Sequence, residues 1–298
     1  MNLEFALTNQ GILDVCRLNK GEAHDFALKL ANLKKICDEY DTKMLYIQTP
    51  SRNEDSKILI FGLKSYYEEI ERNIQGYKIK LLNFDKLYFS DMYSIKDFYF
   101  STDVHPTTDA EIFIADEIFY EIDKNKIKFV SSNLDNKDYY SKIEHRFRGN
   151  LTYSVGKYYT KIDKFVEYFP KYHTEFEFRE LYGDFYRKGS YQDAVLNGYQ
   201  KRNNNVDTTY WVTNYMRFTS PAYEIINKKS NGPKVLFVSD SMSYRTASYL
   251  SLFSKKVTML DPRFFDKLGK KHEEIYTSVL KSDKYDILVV EHGTFFVL

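Results

Sequence analysis

The chain has 298 residues, 43 Lys and Arg against 42 Asp and Glu, and a formal net charge of +1. A chain of this length forms one large domain or two small ones, and a hydrophobic fraction of 43% excludes a wholly disordered protein. The near-neutral charge argues against nucleic acid as a partner, because phosphate-binding proteins concentrate a basic surplus.

Cysteine use, hydropathy and aromatic content narrow the class of protein further. Cys16 and Cys37 allow at most one disulfide, which excludes a disulfide-stapled secreted scaffold. Residues 1–5 lack the pattern of a signal peptide, and no segment approaches the ~20 apolar residues that cross a bilayer, so the chain as given is expected to be soluble. The 27 Tyr and 23 Phe fit either large buried faces or a sugar-binding groove.

In chain order, helical periodicity alternates with short apolar runs that predict buried parallel strands. The predicted elements are helix 24–40, strand 43–48, helix 66–74, strand 77–82, helix 108–122, strand 235–238, helix 244–253, strand 257–260, helix 273–281 and strand 286–290. This alternation predicts an α/β fold in which helices sandwich a parallel sheet. Residues 126–232 lack clean apolar strands, and we interpret them as an insertion or lobe on a single domain whose core is about 1–125 and 233–298.

The most informative segment is KVLFVSDSMSYRTASYL, residues 234–250. A buried strand runs directly into Ser239, Asp240 and Ser241, and a helical pattern follows. Ligands of open α/β sheets bind outside the carboxyl ends of the strands, so Ser241 is a candidate nucleophile there. The N–H groups that open the next helix would stabilise an oxyanion. The alternative is structural, since Ser and Asp are also the preferred helix N-caps.

A serine nucleophile needs a general base, and His105 is the best candidate of the six histidines. It lies in the segment STDVHPTT, and residues i and i+2 of an extended segment face the same side, so Asp103 would approach its ring. The alternative is that His105 merely precedes a proline while Thr107 or Thr108 caps a helix. The other histidines are weaker candidates. His24 and His272 lie in charged helical stretches, and His145 and His173 lie in the polar stretch without a carboxylate in evident register. His292 follows the last strand and is the competitor of His105.

Taken together, STDVHPTTDAEIFIADEIF and VLFVSDSMSYRTASYL…KKVTMLDPRFF resemble the DHHW family of SGNH-like proteins, to which the alginate O-acetyltransferases are similar. The family has an Asp-x-His motif before a helix, then a strand ending in Gly-Asp-Ser, then a strand ending in Asp-Pro-Arg-aromatic. Those places are held by Asp103 and His105, Asp240 and Ser241, and residues 261–264. Residues 44–52 (MLYIQTPSR) resemble the family's early strand and loop, and 147–151 (FRGNL) its aromatic-Gly-Ser element. Ser239 and Pro106 stand where the family has glycine and usually tryptophan.

The resemblance implies an SGNH-hydrolase-like, flavodoxin-like fold and O-acyl transfer, foremost acetyl transfer to a hydroxyl of a cell-surface or exported polysaccharide. It implies that Ser241 is the nucleophile, that His105 is the general base, and that Asp103 orients His105. The backbone N–H of Ser241 would contribute to the oxyanion hole. Arg263 is expected to bind an anionic donor or acceptor. Trp211 is a candidate sugar-stacking residue, although a lone tryptophan is more often a packing residue.

The expected partners are a polysaccharide acceptor and a membrane acyl-donor protein, and the expected location is extracytoplasmic. No bound cofactor and no metal are expected. One alternative is a carbohydrate esterase, in which water takes the acyl group from the same residues. Another is a carbohydrate-binding or assembly protein with a decayed triad, which the departures at Ser239 and Pro106 would accompany.

Overall fold

An eight-stranded sheet lies at the centre of the protein. The computed structural model describes residues 4–8, 11–15, 20–50, 63–84, 98–103, 105–149, 152, 161–196 and 220–292. The described strands are β1 (Glu4–Thr8), β2 (Gly11–Val15), β3 (Lys43–Gln48), β4 (Lys80–Asn83), β5 (Tyr140–Phe147), β6 (Asp163–Pro170), β7 (Phe176–Glu180), β8 (Tyr186–Gly189), β9 (Ala222–Asn227), β10 (Lys234–Val238), β11 (Lys256–Leu260) and β12 (Ile287–His292).

Helices connect the strands of this sheet. They are α1 (Lys20–Glu39), α2 (Leu63–Gly76), α3 (Thr108–Ile122), α4 (Phe129–Leu134), α5 (Tyr244–Ser251) and α6 (His272–Ser282), with short 3₁₀ or π helices at Tyr191–Val195, Ser241–Ser243 and Pro262–Leu268. The strand order is β4-β3-β12-β10-β11-β9-β7-β8. The first five strands are parallel and the last three are antiparallel. The predicted class, an α/β fold with a mostly parallel sheet between helices, is confirmed.

Both faces of the parallel part of the sheet are buried under helices. Along β3, Leu45 and Ile47 belong to the apolar cluster that includes α3 and α5, whereas Met44 and Tyr46 belong to the cluster that includes α1, α2 and α6. Successive side chains of a strand point to opposite faces, so a strand covered on both sides is apolar at every position. For this reason the parallel strands can be recognised in the sequence as short continuous apolar runs.

The stretch predicted to lack clean apolar strands, 126–232, supplies the antiparallel edge of the sheet. Strand β9 pairs with β11, and β7 and β8 extend the sheet beyond it. Their sequences are not apolar runs, because β7 (FEFRE) alternates and β9 (AYEIIN) contains Glu224. Glu224 is buried and binds Arg179 at 2.6 Å and Lys256. Continuous apolar segments therefore do not indicate antiparallel edge strands that carry paired charges.

A separate hairpin, β5–β6, packs against α3 and α5. The Thr108 hydroxyl donates to the Val166 carbonyl at 3.0 Å, and the Tyr249 hydroxyl donates to the same carbonyl at 3.3 Å. Phe147 of the hairpin meets Phe100 edge-to-face with ring centroids 4.8 Å apart. Part of the aromatic surplus is thus used in the buried interface that supports residues 98–107. None of the described helices is long and apolar enough to span a membrane.

Candidate active site

The segment that carries Asp103 and His105 is a tight loop before α3. Its two sides are joined by the Thr107 N–H, which donates to the Phe98 carbonyl at 2.7 Å, and by the N–H of Phe100, which donates to the carbonyl of His105 at 3.3 Å. The Thr107 hydroxyl accepts from an N–H of the first turn of α3 at 3.3 Å, so the predicted cap is present as well. The helix start therefore fixes the end of the loop.

Within this loop, Asp103 orients the ring of His105. Asp103 Oδ1 accepts from the backbone N–H of His105 at 3.1 Å and lies 2.5 Å from His105 Nδ1. The two residues are 1% and 4% exposed. A carboxylate on Nδ1 leaves Nε2 as the nitrogen that can accept a proton.

Ser241 opens the turn between β10 and α5. Asp240 caps this turn, because its Oδ1 accepts the Met242 N–H at 2.8 Å and its carbonyl accepts the Ser243 N–H at 3.3 Å. The capping role foreseen as an alternative thus belongs to Asp240, and the Ser241 side chain is partly exposed. The backbone N–H of Ser241, predicted to stabilise an oxyanion, has no hydrogen-bond partner among the described residues.

The structure brings the three predicted residues into one contact chain. His105 Nε2 lies 3.2 Å from Ser241 Oγ, while Nδ1 faces Asp103. The loop before α3 and the turn after β10 meet here, although 136 positions separate the histidine from the serine. An imidazole held between a carboxylate and a hydroxyl can take the hydroxyl proton and so activate serine as a nucleophile.

A second set of residues holds the Asp103 loop from the hairpin side. Asp163, at the start of β6, accepts from the N–H of Ser101 at 3.1 Å and from the N–H and hydroxyl of Thr102 at 2.7 and 2.6 Å. The Gly149 N–H in turn donates to the Thr102 hydroxyl at 2.8 Å. Gly149 belongs to the segment that resembles the family's aromatic-Gly-Ser element, whereas Asp163 carries no motif and was not foreseen.

A buried ion pair joins α3 to α5 behind the site. Arg245 donates to Glu111 at 3.2 Å and to the carbonyl of Pro106, the residue after His105. Glu111 also accepts the Thr246 N–H at 2.8 Å. Burial raises the pKa of Glu111, and the Arg245 charge and the hydrogen bonds from Thr246 oppose that rise. Sequence reasoning missed both charges, because α3 carries several other acidic residues and nothing in the sequence sets Glu111 or Arg245 apart from solvated helix charges.

Arg263 lies near the turn but is bound within its own motif. Its guanidinium forms a two-point contact with Asp261, with Nε at 2.9 Å from Oδ1 and a terminal nitrogen at 2.6 Å from Oδ2. Its side chain is 32% exposed. Burial raises the pKa of Asp240, and the Arg263 charge opposes that rise. The electrostatic field of Arg263 therefore reaches Asp240, the residue beside Ser241. The expected substrate contact remains a prediction.

The remaining sequence candidates are a tryptophan and the other histidines. Trp211 is outside the described residues, as is the side chain of His292. His24 is exposed as expected, whereas the His272 ring packs edge-on against Phe265 with centroids 4.9 Å apart.

His145 has a carboxylate partner that its sequence neighbourhood did not indicate. Its Nε2 lies 2.8 Å from Glu167 Oε2, across the β5–β6 hairpin. His145 stands opposite Phe165 in the register, and Glu167 is two positions further on the same face. Such a diagonal pair depends on strand register. In the part of the chain that the structure describes, no group of three or more His, Cys, Asp and Glu is arranged to hold a metal ion.

Solved structures with the same fold cover nearly the whole chain. PatB1 from Bacillus cereus, in a structure with a sulfonyl adduct, is 16% identical, with 98% of this chain and 95% of that chain covered and a TM-score of 0.69. A DHHW family protein from Eubacterium siraeum is 13% identical, with 97% and 92% covered and a TM-score of 0.59. The O-acetyltransferase domain of AlgJ from Pseudomonas putida is 9% identical, with 97% and 90% covered and a TM-score of 0.52.

These likenesses confirm the resemblance that the Asp-x-His and Asp-Ser motifs indicated. At these identities the feature in common is the fold. Neither protein-family models nor curated protein sequences match the chain.

Proposed function

We propose that this protein is an O-acetyltransferase in which Ser241, His105 and Asp103 act as nucleophile, general base and orienting carboxylate. The observation that carries the proposal is the continuous contact from Asp103 through the His105 ring to Ser241 Oγ. The fold likeness to an O-acetyltransferase domain supports the choice of acyl transfer among the reactions open to such a site.

In the first half-reaction, Ser241 Oγ attacks the carbonyl carbon of an acetyl donor while His105 Nε2 takes the hydroxyl proton. Asp103 stabilises the imidazolium that forms, and the Ser241 N–H donates to the developing oxyanion. The bond to the donor's leaving group breaks, and His105 returns the proton to that group. The product is an acetyl ester on Ser241.

In the second half-reaction, a sugar hydroxyl takes the acetyl group. His105 removes the hydroxyl proton as the sugar oxygen attacks the ester carbonyl. The bond between the acetyl carbon and Ser241 Oγ then breaks, and His105 returns the proton to Oγ. All bonds made and broken involve the acetyl group, its donor and its acceptor, so the proposed reaction uses no bound cofactor.

The proposed acceptor is a cell-surface or exported polysaccharide, and the proposed location is extracytoplasmic, where a membrane acyl-donor protein would supply acetyl groups. Arg263 is proposed to attract an anionic sugar or donor, because part of its side chain faces solvent near the turn. Trp211 is proposed to stack on a sugar ring.

The test is acetyl-enzyme formation from 4-nitrophenyl acetate, followed by transfer to oligosaccharides. We expect the parent protein to gain the mass of one acetyl group on Ser241, and Ser241→Ala to lose turnover by about 10⁴-fold or more. Because Asp240 and not Ser241 caps the turn, the free energy of unfolding of Ser241→Ala should change by about 0.5 kcal/mol or less. Ser132→Ala, which alters an exposed serine of α4, is the matched control.

Product analysis distinguishes the rival activities. Acetylated oligosaccharide supports the transferase, whereas release of acetate with and without oligosaccharide supports the esterase. A parent protein that never acquires acetyl on Ser241 contradicts both enzymes and favours a binding or assembly protein.

A further inference from the structure

Two serines flank Ser241 and are linked beneath it to a buried carboxyl group. Ser239 and Ser243 stand two residues before and two residues after Ser241, and their Oγ atoms lie 2.5 Å apart. The Ser243 hydroxyl donates its proton to Glu291 Oε2 at 2.5 Å. Ser239 is therefore the donor to Ser243, and the chain of hydrogen bonds joins both ends of the turn to Glu291.

Glu291 reaches the turn from the neighbouring parallel strand. Ile287 and Val289 of β12 pack in the cluster that contains α3 and α5, and the period of two puts Glu291 on that same face. Ser239, Ser243 and Glu291 are each 0% exposed. A hydrogen bond in such a dry site is stronger than in water, and an unpaired polar group costs more, so the linked arrangement is favoured.

The surroundings of Glu291 disfavour a negative charge. Burial raises the pKa of Glu291 to about 8, and the Glu111 and Asp240 carboxyls add to the rise, whereas the hydrogen bond from Ser243 opposes it. Oε1 of Glu291 has no hydrogen-bond partner among the described residues. At neutral pH the side chain is therefore an uncharged acid that accepts from Ser243 through Oε2.

Among the described residues, the charged groups that act on Glu291 come from α3 and from the turn between β10 and α5. Glu111 projects from α3, where the Arg245 guanidinium of α5 already binds it, and Asp240 belongs to the turn itself. On β3, the residue in register with Glu291 is the apolar Ile47. Ionisation of Glu291 would thus add a third carboxylate to a buried region in which Glu111 already engages the Arg245 guanidinium.

We propose that Glu291 is a positioning residue that, through Ser243 and Ser239, holds the turn in the orientation from which Ser241 meets His105. The inference rests on the proposed role of Ser241 as nucleophile. It also assigns a role to Ser239, which stands where the DHHW family has glycine. When Glu291 ionises, repulsion from Glu111 and Asp240 loosens the turn, and the reactivity of Ser241 falls.

The test measures how fast phenylmethanesulfonyl fluoride sulfonylates Ser241, a reaction that needs neither acetyl donor nor acceptor. The Ser241 Oγ–S bond forms, the S–F bond breaks, fluoride leaves and the proton passes through His105 to solvent. We expect the parent rate to fall above a pH of about 8. Glu291→Gln should keep the parent rate below that pH and lose the fall, because an amide oxygen accepts from Ser243 but cannot ionise.

Variants that break the link should be slow at every pH. We expect Glu291→Leu and Ser243→Ala each to react about tenfold more slowly than the parent. The double variant should be no slower than either single one, because the two residues act as a unit. Glu274→Gln, which removes an exposed carboxylate from α6, is the matched control and should follow the parent profile.

The outcomes separate this inference from the proposed function. If the parent reacts and Glu291→Gln keeps its alkaline fall, or Glu291→Leu reacts at the parent rate, the inference is wrong and the proposed function stands. If sulfonylation depends on Glu291 but no acetyl transfer occurs, the proposed function is wrong and the positioning role stands. If the parent is not sulfonylated on Ser241, both are wrong. Should Glu291→Leu fail to fold, the profile of Glu291→Gln decides alone.

Discussion

Gly149 shows how one missing side chain sets the position of Asp103. A Cβ atom at residue 149 would lie 2.3 Å from both Asp103 Cβ and the Thr102 carbonyl oxygen, and 2.5 Å from Asp103 Oδ2. The Thr102 carbonyl oxygen belongs to the backbone and the Asp103 Cβ is fixed to it, so neither atom can rotate away. Glycine is therefore required here by close approach of the hairpin to the loop that orients His105.

At the residue scale we predict that Gly149→Ala lowers acyl transfer by about 100-fold, because Asp103 must shift by a sizeable fraction of an ångström. Overpacking should also reduce the free energy of unfolding by about 1–3 kcal/mol. Turnover of 4-nitrophenyl acetate and denaturant melts measure the two effects. Gly76→Ala is the control, since no atom lies within 4 Å of the added Cβ. Equal turnover of both variants would show that the position of Asp103 is not critical.

At the scale of elements, α3 and α5 are tied together by charge. Arg245 is 1% exposed, stacks on Phe100 and Phe165 with its guanidinium 5.2 and 5.1 Å from the ring centroids, and binds Glu111. Its contact to the Pro106 carbonyl reaches the residue after His105. Removing one partner of a buried ion pair leaves an uncompensated charge, which costs far more than loss of a surface pair.

We predict that Arg245→Met lowers the free energy of unfolding by about 3–5 kcal/mol, because the Glu111 carboxylate loses its counter-charge. The double variant Arg245→Met with Glu111→Gln should recover part of this loss. Arg72→Met, which breaks an exposed pair with Glu69 on α2, should cost about 0.5 kcal/mol. Urea melts of the four proteins test this. A double variant no more stable than Arg245→Met would contradict the account.

At the scale of the whole molecule, several buried carboxyl groups make stability depend on pH. Burial raises the pKa values of Glu111, Asp116, Asp240 and Glu291 in the folded protein. A group whose folded pKa lies above its unfolded value binds its proton more tightly in the fold. The stability that this proton contributes to the fold is fully present below the unfolded pKa and is lost as the pH rises towards the folded pKa.

For Glu291 this window runs from about 4.5, the ordinary value, to about 8. We predict that Glu291→Gln gains stability relative to the parent by roughly 1 kcal/mol for each pH unit within the window, and no more above it. Denaturant melts across this range measure the difference. The exposed control Glu274→Gln should run parallel to the parent. A constant difference between Glu291→Gln and the parent would show that Glu291 keeps the same charge in the folded and unfolded protein.

The sequence by itself determined the parallel core and the three residues of the candidate triad. Strand β3 (Lys43–Gln48) and helix α3 (Thr108–Ile122) lie where periodicity predicted them. A strand buried on both faces and a helix buried along one stripe each leave a pattern of apolar residues within their own short sequence. Asp103 and His105 could be predicted because they are two residues apart. Ser241 could be predicted because it lies three residues after the end of a buried strand, at the start of a helical pattern.

Only the tertiary structure decided what surrounds the candidate triad. Asp163 lies on β6, Gly149 just after β5, Glu111 on α3 and Glu291 on β12. Each contacts a residue far away in the chain. The antiparallel edge β7–β9 was hidden for a related reason, since its charges are neutralised by partners on other strands. A paired buried charge looks like a solvated one in sequence, because its partner appears only when the chain folds and brings the two together in a dry interior.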